Sequence, residues 1–506
     1  MEKNIIYNGP PGTGKTFTAR KKAVQIVAGL SEHERQSEEE VDYEELYEQY
    51  AETGQIQLCT FHQSFSYEEF IEGIRMDQDN RFTPEDGIFK QISRLAEDAY
   101  KKYNERRFVQ MPLGKPNEDG GNPILEYGIK NNIVSTNICS NIADEAAYKA
   151  NYAAYDTIDK IEGMLEENRN SYAPSLHLFK NELKPGDIIF ISFHKDTINA
   201  IAKVVGPYEY IANPSKQHFK HTRQVEWLST ETMQVKDFYK YEVLNDNANF
   251  LLSELYRQDF KQEHALFQLI EPLEKYVLII DEINRGNIAQ IFGELISLIE
   301  PSKRLGAAEA MHVTLPYSKE PFTVPNNLYI IGTMNTTDRS IALMDAALRR
   351  RFTYYEVMPQ ANILKKLQAQ SATSMEVNLA KLLTTMNQRI AFLYDREHMI
   401  GHAYFMDCVT DQDVVDVFTS RIIPLLQEYF YDDWRQLELI LGGAATDRQD
   451  TNYFLYKEDI YPEDIFNDAY QGELQIKTTY TLIKQPSTNA LSHIYQAGES
   501  YATSHR

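Results

Sequence analysis

Cysteine is scarce in this chain, with three residues in 506. Cys59, Cys139 and Cys408 lie far apart in the sequence, and none belongs to a CxxC or mixed His/Cys spacing. A disulfide framework needs paired cysteines at regular spacings, and a structural zinc site needs clustered ligands, so the sequence supports neither. We expect three ordinary thiols, buried or partly buried.

Long apolar runs and a leader-like start are also missing. Stretches such as residues 276–280 are far shorter than the roughly 18 residues that span a bilayer. The first residues, MEKNIIYNGPPG, have no charged region followed by a long apolar one, so they do not resemble a secretory signal. We therefore expect no membrane association and a cytoplasmic protein.

Positive charge is in deficit. The chain has 51 Lys and Arg against 74 Asp and Glu, a formal net charge of −23. Such a chain repels DNA as a whole, so a nucleic-acid contact must come from a local basic patch or from a ring that concentrates one. Hydrophobic residues at 42 % and charged residues at 25 % are typical of a globular protein. The length predicts about three structural units or one domain with a large insertion.

The strongest motif begins at residue 9. A short apolar strand at residues 4–7 leads directly into a G-x4-G-K-T pattern, and a helix is predicted from residue 17 to about residue 30. Glycines let backbone N–H groups turn toward phosphate oxygens, Lys15 reaches the β- and γ-phosphates, and the Thr16 hydroxyl can bind Mg²⁺. The pattern predicts a nucleoside triphosphate site formed by Gly9, Pro10, Pro11, Gly12, Thr13, Gly14, Lys15 and Thr16.

Two later segments supply the other groups that such a site needs. Asp281 and Glu282 follow the apolar strand at residues 276–280. Asp281 can hold the metal ion and Glu282 can deprotonate the attacking water, although the two carboxylates could also merely cap the next helix. Another strand, residues 329–333, ends just before Asn335, which could hydrogen-bond the γ-phosphate or the water. Together these segments predict nucleoside triphosphate hydrolysis.

Three consecutive arginines, Arg349, Arg350 and Arg351, end a helix predicted over residues 342–351. Two interpretations remain open. The arginines could stabilise the C-terminal end of the helix dipole. Alternatively, one of them could be an arginine finger that reaches the nucleotide of a neighbouring subunit, which requires an oligomeric ring.

The alternation of strands and helices is interrupted between residues 104 and 259, where Gly120-Gly121 and Pro185-Gly186 mark turns and strands are predicted instead. It resumes afterwards, with a helix predicted over residues 288–299. The sequence therefore predicts an α/β fold with a parallel sheet and an inserted β-rich domain. The predicted divisions are the first part of the core (1–103), the insertion (104–259), the second part of the core (260–358), a helical lid (359–440) and a C-terminal extension (441–506).

Phrases at both ends of the chain resemble the McrB-type AAA+ motor subunits of modification-dependent, McrBC-like (type IV) restriction systems. They are FHQSFSYEEFIEGI (61–74), GIFKQI (87–92), IIDEINRGN (279–287), MNTTDRSIALMDAALRRRF (334–352), IGHAYF (400–405) and IIPLLQEYFYDD (422–433). The resemblance implies an AAA+ P-loop fold, GTP hydrolysis with Mg²⁺, a homo-hexameric ring and a separate McrC-type endonuclease subunit. It also implies modified double-stranded DNA as the target.

The same resemblance assigns catalytic roles to Asp281, Glu282, Asn335, Asp338, Arg339, Arg349 and Arg350. Asp338 and Arg339 match the signature loop of the family, and Arg349 or Arg350 matches its trans-acting finger. His402 lies where many AAA+ proteins have a second sensor arginine, and a sensing and a structural role are equally open for it. The chain lacks the Asn/Thr-Lys-x-Asp motif with which small GTPases bind guanine, so GTP follows from the resemblance alone.

Parts of the insertion, residues 183–190, 200–210 and 221–227, resemble EVE and PUA-like barrels, which bind modified bases or structured nucleic acid. Between residues 180 and 240, nine Lys or Arg accompany seven Asp or Glu, a local excess of positive charge. Such a mixture of basic and aromatic groups can hold phosphate and stack a flipped base. The candidate nucleic-acid-binding residues are Lys216, Lys220, His221, Arg223, Trp227 and Tyr208. Tyr208 and Trp227 could instead fill a barrel core.

Two alternatives concern the activity of the chain. An ATP-dependent MoxR-like remodelling ATPase, whose insertion grips a protein, would share the same motifs, and the insertion could also read RNA or only oligomerise. Residues 462–464 and 473–477 are weakly similar to a PD-(D/E)xK nuclease centre, but three residues instead of one separate the second pair of ligands. We therefore expect cleavage to reside in a partner subunit.

Overall fold

The computed structural model describes residues 2–30, 41–76, 80–113, 121–136, 138, 142, 144–165, 172–211, 219–244, 251–261, 264, 270, 273–337, 346–370, 375–431, 433–465 and 474–496. The chain divides into two compact units. The first unit comprises Met1–Glu97 and Lys275–Arg506, and the inserted unit comprises Asp98–Glu274.

A five-stranded parallel sheet forms the centre of the first unit. Its strands lie in the order Thr353–Glu356, Asn4–Gly9, Leu328–Asn335, Tyr276–Asp281 and Ile56–Thr60. The central strands are buried along most of their length, as expected for a parallel sheet covered on both faces. Because all strands run the same way, their carboxyl ends meet at one edge, where Gly9 is in register with Asn335.

Helices and short 3₁₀ turns flank this sheet. The α-helices are Lys15–Val27, Tyr43–Glu52, Tyr67–Phe70, Ile88–Glu105, Ile288–Phe292 and Ala346–Arg349, and the 3₁₀ turns are Ile283–Arg285, Gly293–Ser297 and Pro301–Lys303. The single helix predicted over residues 288–299 is wrong. It ends at Phe292 because Gly293 has φ of 50°, in the left-handed region, and the chain continues as a 3₁₀ turn.

The lid is a helical bundle with its own buried cluster. Its helical segments are Ala361–Gln370, Leu379–Leu393, Arg396–His398, His402–Phe405, Asp411–Val417, Phe418–Ile422, Ile423–Tyr429 and Trp434–Leu441. Two further helices, Pro462–Ile465 and Asn489–Gln496, follow in the C-terminal extension. The segment Phe418–Ile422 is a π-helical turn, consistent with Pro424, which has no N–H to donate to the preceding turn. Leu491 and Ile494 belong to the same buried cluster as Leu382, so the last helix packs on the lid.

Three two-stranded hairpins complete the first unit. They are Glu72–Met76 with Phe82–Asp86, Val313–Thr314 with Pro321–Phe322, and Leu455–Ile460 with Lys477–Leu482. Among the described residues, no helix is long and apolar enough to cross a bilayer. Cys59 and Cys408 are buried free thiols, and Cys139 lies outside the described residues.

The inserted unit contains a mixed six-stranded sheet. Its order is Ser253–Leu255, Phe108–Pro112, Ile188–Ser192, Ala200–Tyr210, His221–Ser229 and Ile133–Thr136, with one parallel pair between the second and third strands. Successive residues of the third strand alternate between two buried clusters, with Ile189 in one and Phe190 in the other. The sheet therefore has a hydrophobic core on each face.

A two-stranded pair and short helices surround this sheet. The pair is Thr197–Ile198 with Met233–Gln234, and the helical segments are Pro123–Asn131, Glu145–Ala150, Tyr152–Ala154, Ile158–Glu162, Ala173–His177, Leu178–Glu182, Val235–Phe238 and Arg257–Asp259.

Candidate functional site

The glycine-rich loop connects the strand Asn4–Gly9 to the helix Lys15–Val27. Gly14, just before the helix, has φ of 77° and ψ of 27°, a left-handed conformation that strongly favours glycine. Gly12 has φ of 72°, and a Cβ there would lie 2.6 Å from an atom of the Tyr404 ring. The loop thus turns tightly into a helix N-terminus, where backbone N–H groups bind anions.

Lys15 is held inside this loop. Its Nζ donates to the carbonyl oxygens of Gly9 at 3.0 Å and Pro10 at 2.7 Å, and the residue is only 7 % exposed. Burial lowers the pKa of Lys15 to about 8, although the nearby carboxylates of Glu282 and Asp281 oppose the shift. A bound phosphate would therefore stabilise the charged form of Lys15 in this position.

Asp281 links the loop to the neighbouring strands. Its Oδ1 accepts hydrogen bonds from Thr16 Oγ1 at 2.9 Å and from Thr333 Oγ1. Hydroxyl and carboxylate oxygens are ligands that Mg²⁺ prefers, and Mg²⁺ takes few protein ligands when it also binds phosphates. No cluster of three or more His, Cys, Asp or Glu side chains is placed to hold a metal within the described ranges. The Thr16–Asp281 pair fits a magnesium ion shared with a nucleotide.

Glu282 follows at a sharp turn, with φ of 53°. Its N–H donates to Thr333 Oγ1 at 3.2 Å. Asn335 Nδ2 donates to one carboxylate oxygen of Glu282, and Arg285 Nε donates to the other at 3.3 Å. Both oxygens of the Glu282 carboxylate are therefore held by donors within the site.

The lid approaches this site through His402. His402 Nδ1 accepts a hydrogen bond from the N–H of Gln360 at 3.2 Å, so a neutral ring carries its proton on Nε2. Nε2 lies 4.0 Å from where a Cβ of Gly14 would be, and burial lowers the pKa of His402. His402 is therefore a neutral N–H donor beside the loop.

A cavity of about 380 Å³ opens between the loop and the lid. It is lined by Pro11, Arg285, Asn335, Thr337, Tyr394, His398, Leu425, Glu428, Tyr429 and Tyr431. His398 Nδ1 is 2.7 Å from Asp395 Oδ1, and its ring meets Tyr394 and Tyr429 edge-on. The sequence alone did not indicate a role for Arg285, Thr333 or the lid residues that line this cavity. Only the tertiary structure brings them next to the loop.

The three consecutive arginines differ in their exposure to solvent. Arg349 and Arg350 are exposed, and the Arg349 guanidinium lies 5.8 Å from the centre of the Tyr354 ring. Arg351 is different, since only 7 % of its side chain is exposed and it forms an ion pair with Glu300 at 3.5 Å. Asp338 and Arg339 lie outside the described residues.

The nucleic-acid candidates of the inserted unit do not form a common surface. Arg223 is 4 % exposed, and its guanidinium donates to the carbonyl oxygens of Phe179, Gly206 and Lys180. Burial lowers the pKa of Arg223 to about 10. Because its donors are satisfied inside the fold, the expectation that Arg223 holds a phosphate is not met in this structure.

The other candidates divide between interior and surface. His221 is fully buried and its Nδ1 lies 2.7 Å from the Tyr208 hydroxyl, which also contacts Tyr148. These two candidates therefore belong to the core, as the alternative for Tyr208 foresaw. Trp227 is partly buried and donates from Nε1 to the Gly128 carbonyl, while Lys220 pairs with Glu145 at 2.8 Å. Lys216 lies outside the described residues.

Comparison with known families matches three parts of the chain. The McrB alpha-helical lid domain matches residues 378–438, and an AAA domain of the dynein-related subfamily matches residues 217–352. A domain of unknown function matches residues 113–258, most of the inserted unit.

Two curated relatives are similar to parts of the chain. The Type IV methyl-directed restriction enzyme EcoKMcrB subunit of Escherichia coli (strain K12) is 40 % identical over 181 residues, which cover 32 % of this chain and 38 % of that protein. The Type II restriction enzyme BsuMI component YdiS of Bacillus subtilis (strain 168) is 30 % identical over 89 residues, covering 16 % and 26 %. The chain thus spans well under half of either relative.

The parallel sheet, the phosphate-binding loop and the helical lid agree with these matches. With the 40 % identity to part of an McrB subunit, they show an AAA+ fold with an McrB-like helical lid.

Proposed function

We propose that this chain is the GTP-hydrolysing motor subunit of an McrBC-like, modification-dependent restriction system. The observation that carries the proposal is the contact between Asp281 and Thr16, next to the Glu282–Asn335 pair. A metal-binding pair and a water-activating carboxylate then lie together beside a phosphate-binding loop. This is the arrangement that phosphoryl transfer to water requires. The printed name of the Escherichia coli relative, a methyl-directed restriction enzyme subunit, supports the restriction context.

In the proposed reaction the triphosphate binds along the loop and the start of the helix Lys15–Val27. Lys15 exchanges the carbonyl oxygens of Gly9 and Pro10 for β- and γ-phosphate oxygens. Thr16 and Asp281 would hold Mg²⁺, which neutralises charge on the phosphate oxygens.

Glu282 accepts the proton of the attacking water once it is released by Asn335 or Arg285. Water attacks the γ-phosphorus in line, and the products are the nucleoside diphosphate and inorganic phosphate. Asn335, freed from Glu282, can then donate to the γ-phosphate or to the water, as the sequence motif predicts.

The site is proposed to be completed by a neighbouring subunit in a homo-hexameric ring. Arg349 and Arg350 are exposed and lie at the end of the helix Ala346–Arg349, so they are available to a second chain. A guanidinium placed against the transferred phosphoryl group stabilises its developing charge. Asp338 and Arg339 are assigned to the same catalytic loop on the family motif.

The preference for GTP rests on the McrB resemblance, because no residue of the described site distinguishes guanine from adenine. The nuclease is assigned to a separate McrC-type subunit on the same ground. Recognition of modified double-stranded DNA is assigned to the inserted unit as an EVE or PUA-like reader. Lys220 and Trp227 remain its partly exposed candidates, whereas Arg223 and His221 support the core.

Replacing Glu282 with Gln tests the hydrolytic role. We expect nucleotide binding to persist and turnover of GTP to fall at least about 100-fold, because an amide cannot accept the water proton. Rates with GTP and ATP are measured at equal concentrations, and GTP should be preferred. Glu309→Gln, which changes an exposed carboxylate paired with Lys303, is the matched control. Full turnover by the Glu282 variant would remove that residue from its role, and faster ATP hydrolysis would overturn the GTP assignment.

Mixing two inactive variants tests the shared site. A double variant Arg349→Ala and Arg350→Ala should bind nucleotide but lose about 1000-fold in turnover. Mixed with Glu282→Gln protein, it should recover part of the activity, because its own glutamate is completed by arginines of the other chain. Turnover is followed by phosphate release across a range of protein concentrations. No recovery, or a rate per subunit independent of concentration, contradicts a trans-acting finger.

We expect Lys15 to take up a proton when nucleotide binds. Burial lowers its pKa to about 8 and a bound phosphate raises it again, so binding at pH 8.5 should take up a substantial fraction of a proton. At pH 7 the uptake should be small because Lys15 is already charged. Titration calorimetry in two buffers of different ionisation enthalpy measures the number of protons taken up on binding. Lys3→Met is the control, since Lys3 also has a pKa of about 8 but lies at the opposite end of its strand.

The DNA assignment is tested with the full chain, with and without the product of the neighbouring gene. Modified duplex DNA should stimulate GTP hydrolysis more than the same unmodified duplex, because a reader engages only a target that it can flip and enclose. Lys220→Ala should weaken that stimulation, while Lys203→Ala, which loses a surface pair with Glu226, serves as the control. Equal stimulation by both duplexes would reject a modification-dependent role.

A further inference from the structure

The lid touches the phosphate-binding loop through its backbone. The N–H of Gly401 donates to the carbonyl oxygen of Pro11 at 3.0 Å, and the N–H of Ala403 donates to the carbonyl oxygen of Gly12 at 2.9 Å. Both contacts lie within the first unit. Two backbone hydrogen bonds therefore join the lid segment 400–404 to the loop.

Residue 401 must be glycine because the lid and loop backbones lie very close together there. Its backbone dihedral angles do not require glycine. Gly401 has φ of −74° and ψ of 158°, values that any residue adopts. A Cβ at this position would overlap the carbonyl group of Gly12 and lie 2.5 Å from the N of Thr13. On the other side of the contact, a Cβ on Gly12 would collide with the Tyr404 ring. Two glycines thus allow the lid and loop backbones to meet.

The lid supplies donors that the loop itself lacks. The first two carbonyl oxygens of the loop, those of Gly9 and Pro10, accept hydrogen bonds from Lys15. The next two, those of Pro11 and Gly12, accept from the lid. The lid therefore fixes the carbonyl groups of Pro11 and Gly12, and the peptide N–H groups of the same loop are the groups that bind phosphate.

We propose that Gly401 is a positioning residue for nucleotide binding, through which the docked lid holds the phosphate-binding loop in its anion-binding conformation. The inference deepens the proposed function and rests on it, because it concerns the same nucleotide site. By linkage, nucleotide must favour lid docking by the same factor by which docking favours nucleotide. The lid backbone is then part of the phosphate site.

The test is Gly401→Ala in the full chain, with binding measured by titration of a fluorescent guanine nucleotide. We expect the Kd to rise about tenfold, since both backbone hydrogen bonds are lost when the methyl group forces the lid away. Leu437→Ala is the stability control, because Leu437 is fully buried in the lid cluster and takes no part in the loop contact. It should lower the melting temperature while changing the Kd less than twofold.

A second, milder variant tests the same contact if Gly401→Ala does not fold. Tyr404→Leu removes the ring that covers Gly12 but keeps both backbone hydrogen bonds, so the Kd should rise only about two- to threefold. Hydrogen exchange then gives an independent readout. In the wild type, nucleotide should slow exchange of the Gly401 and Ala403 amides, and in Gly401→Ala this protection should be lost.

The outcomes separate the two claims. Wild-type affinity in Gly401→Ala, an equal loss in Leu437→Ala, or lid amides whose exchange is indifferent to nucleotide would each overturn the positioning role. In the absence of a folded Gly401→Ala protein, unchanged affinity in Tyr404→Leu together with indifferent amides would do so. Failure of the wild-type chain to bind any purine nucleotide would instead reject the proposed function.

Discussion

The parallel pairing of the strands Asn4–Gly9, Leu328–Asn335 and Tyr276–Asp281 is the constraint on which the site depends. Parallel strands deliver their carboxyl ends to one edge of a sheet, so residues separated by more than 250 positions come within hydrogen-bond distance. Thr16 meets Asp281 there, and Glu282 meets Asn335. A register shift of one residue would turn these side chains to the other face of the sheet and dismantle the site.

The polar groups of the site bind one another. Lys15 binds loop carbonyls, Thr16 binds Asp281, and the Glu282 carboxylate is held by an amide and a guanidinium. These contacts satisfy polar groups at the edge of the sheet. A nucleotide and its metal ion must replace them, so binding and the release of the catalytic groups are parts of one exchange. The lid enters the same exchange through the backbone contacts of Gly401 and Ala403.

The inserted unit shows how local composition can mislead. Basic and aromatic residues clustered in sequence suggested a nucleic-acid surface, yet Arg223 and His221 face inward. The first three residues of the strand His221–Ser229 are all buried, and a buried arginine is tolerated there because three carbonyl oxygens accept hydrogen bonds from it. The charge count of a segment therefore says little about the charge of its surface.

The amino-acid sequence alone determined the phosphate-binding loop, the acidic pair after a buried strand and the AAA+ character of the chain. These features depend on short-range patterns, namely glycine spacing and apolar runs that end in polar residues. Only the tertiary structure decided that Arg285 and Asn335 hold Glu282, and that Gly401 lies against Gly12. It also decided that the Arg351 side chain is largely covered while Arg349 and Arg350 are exposed. Such contacts join segments far apart in the chain, and their partners are set by packing and register, which no local pattern encodes.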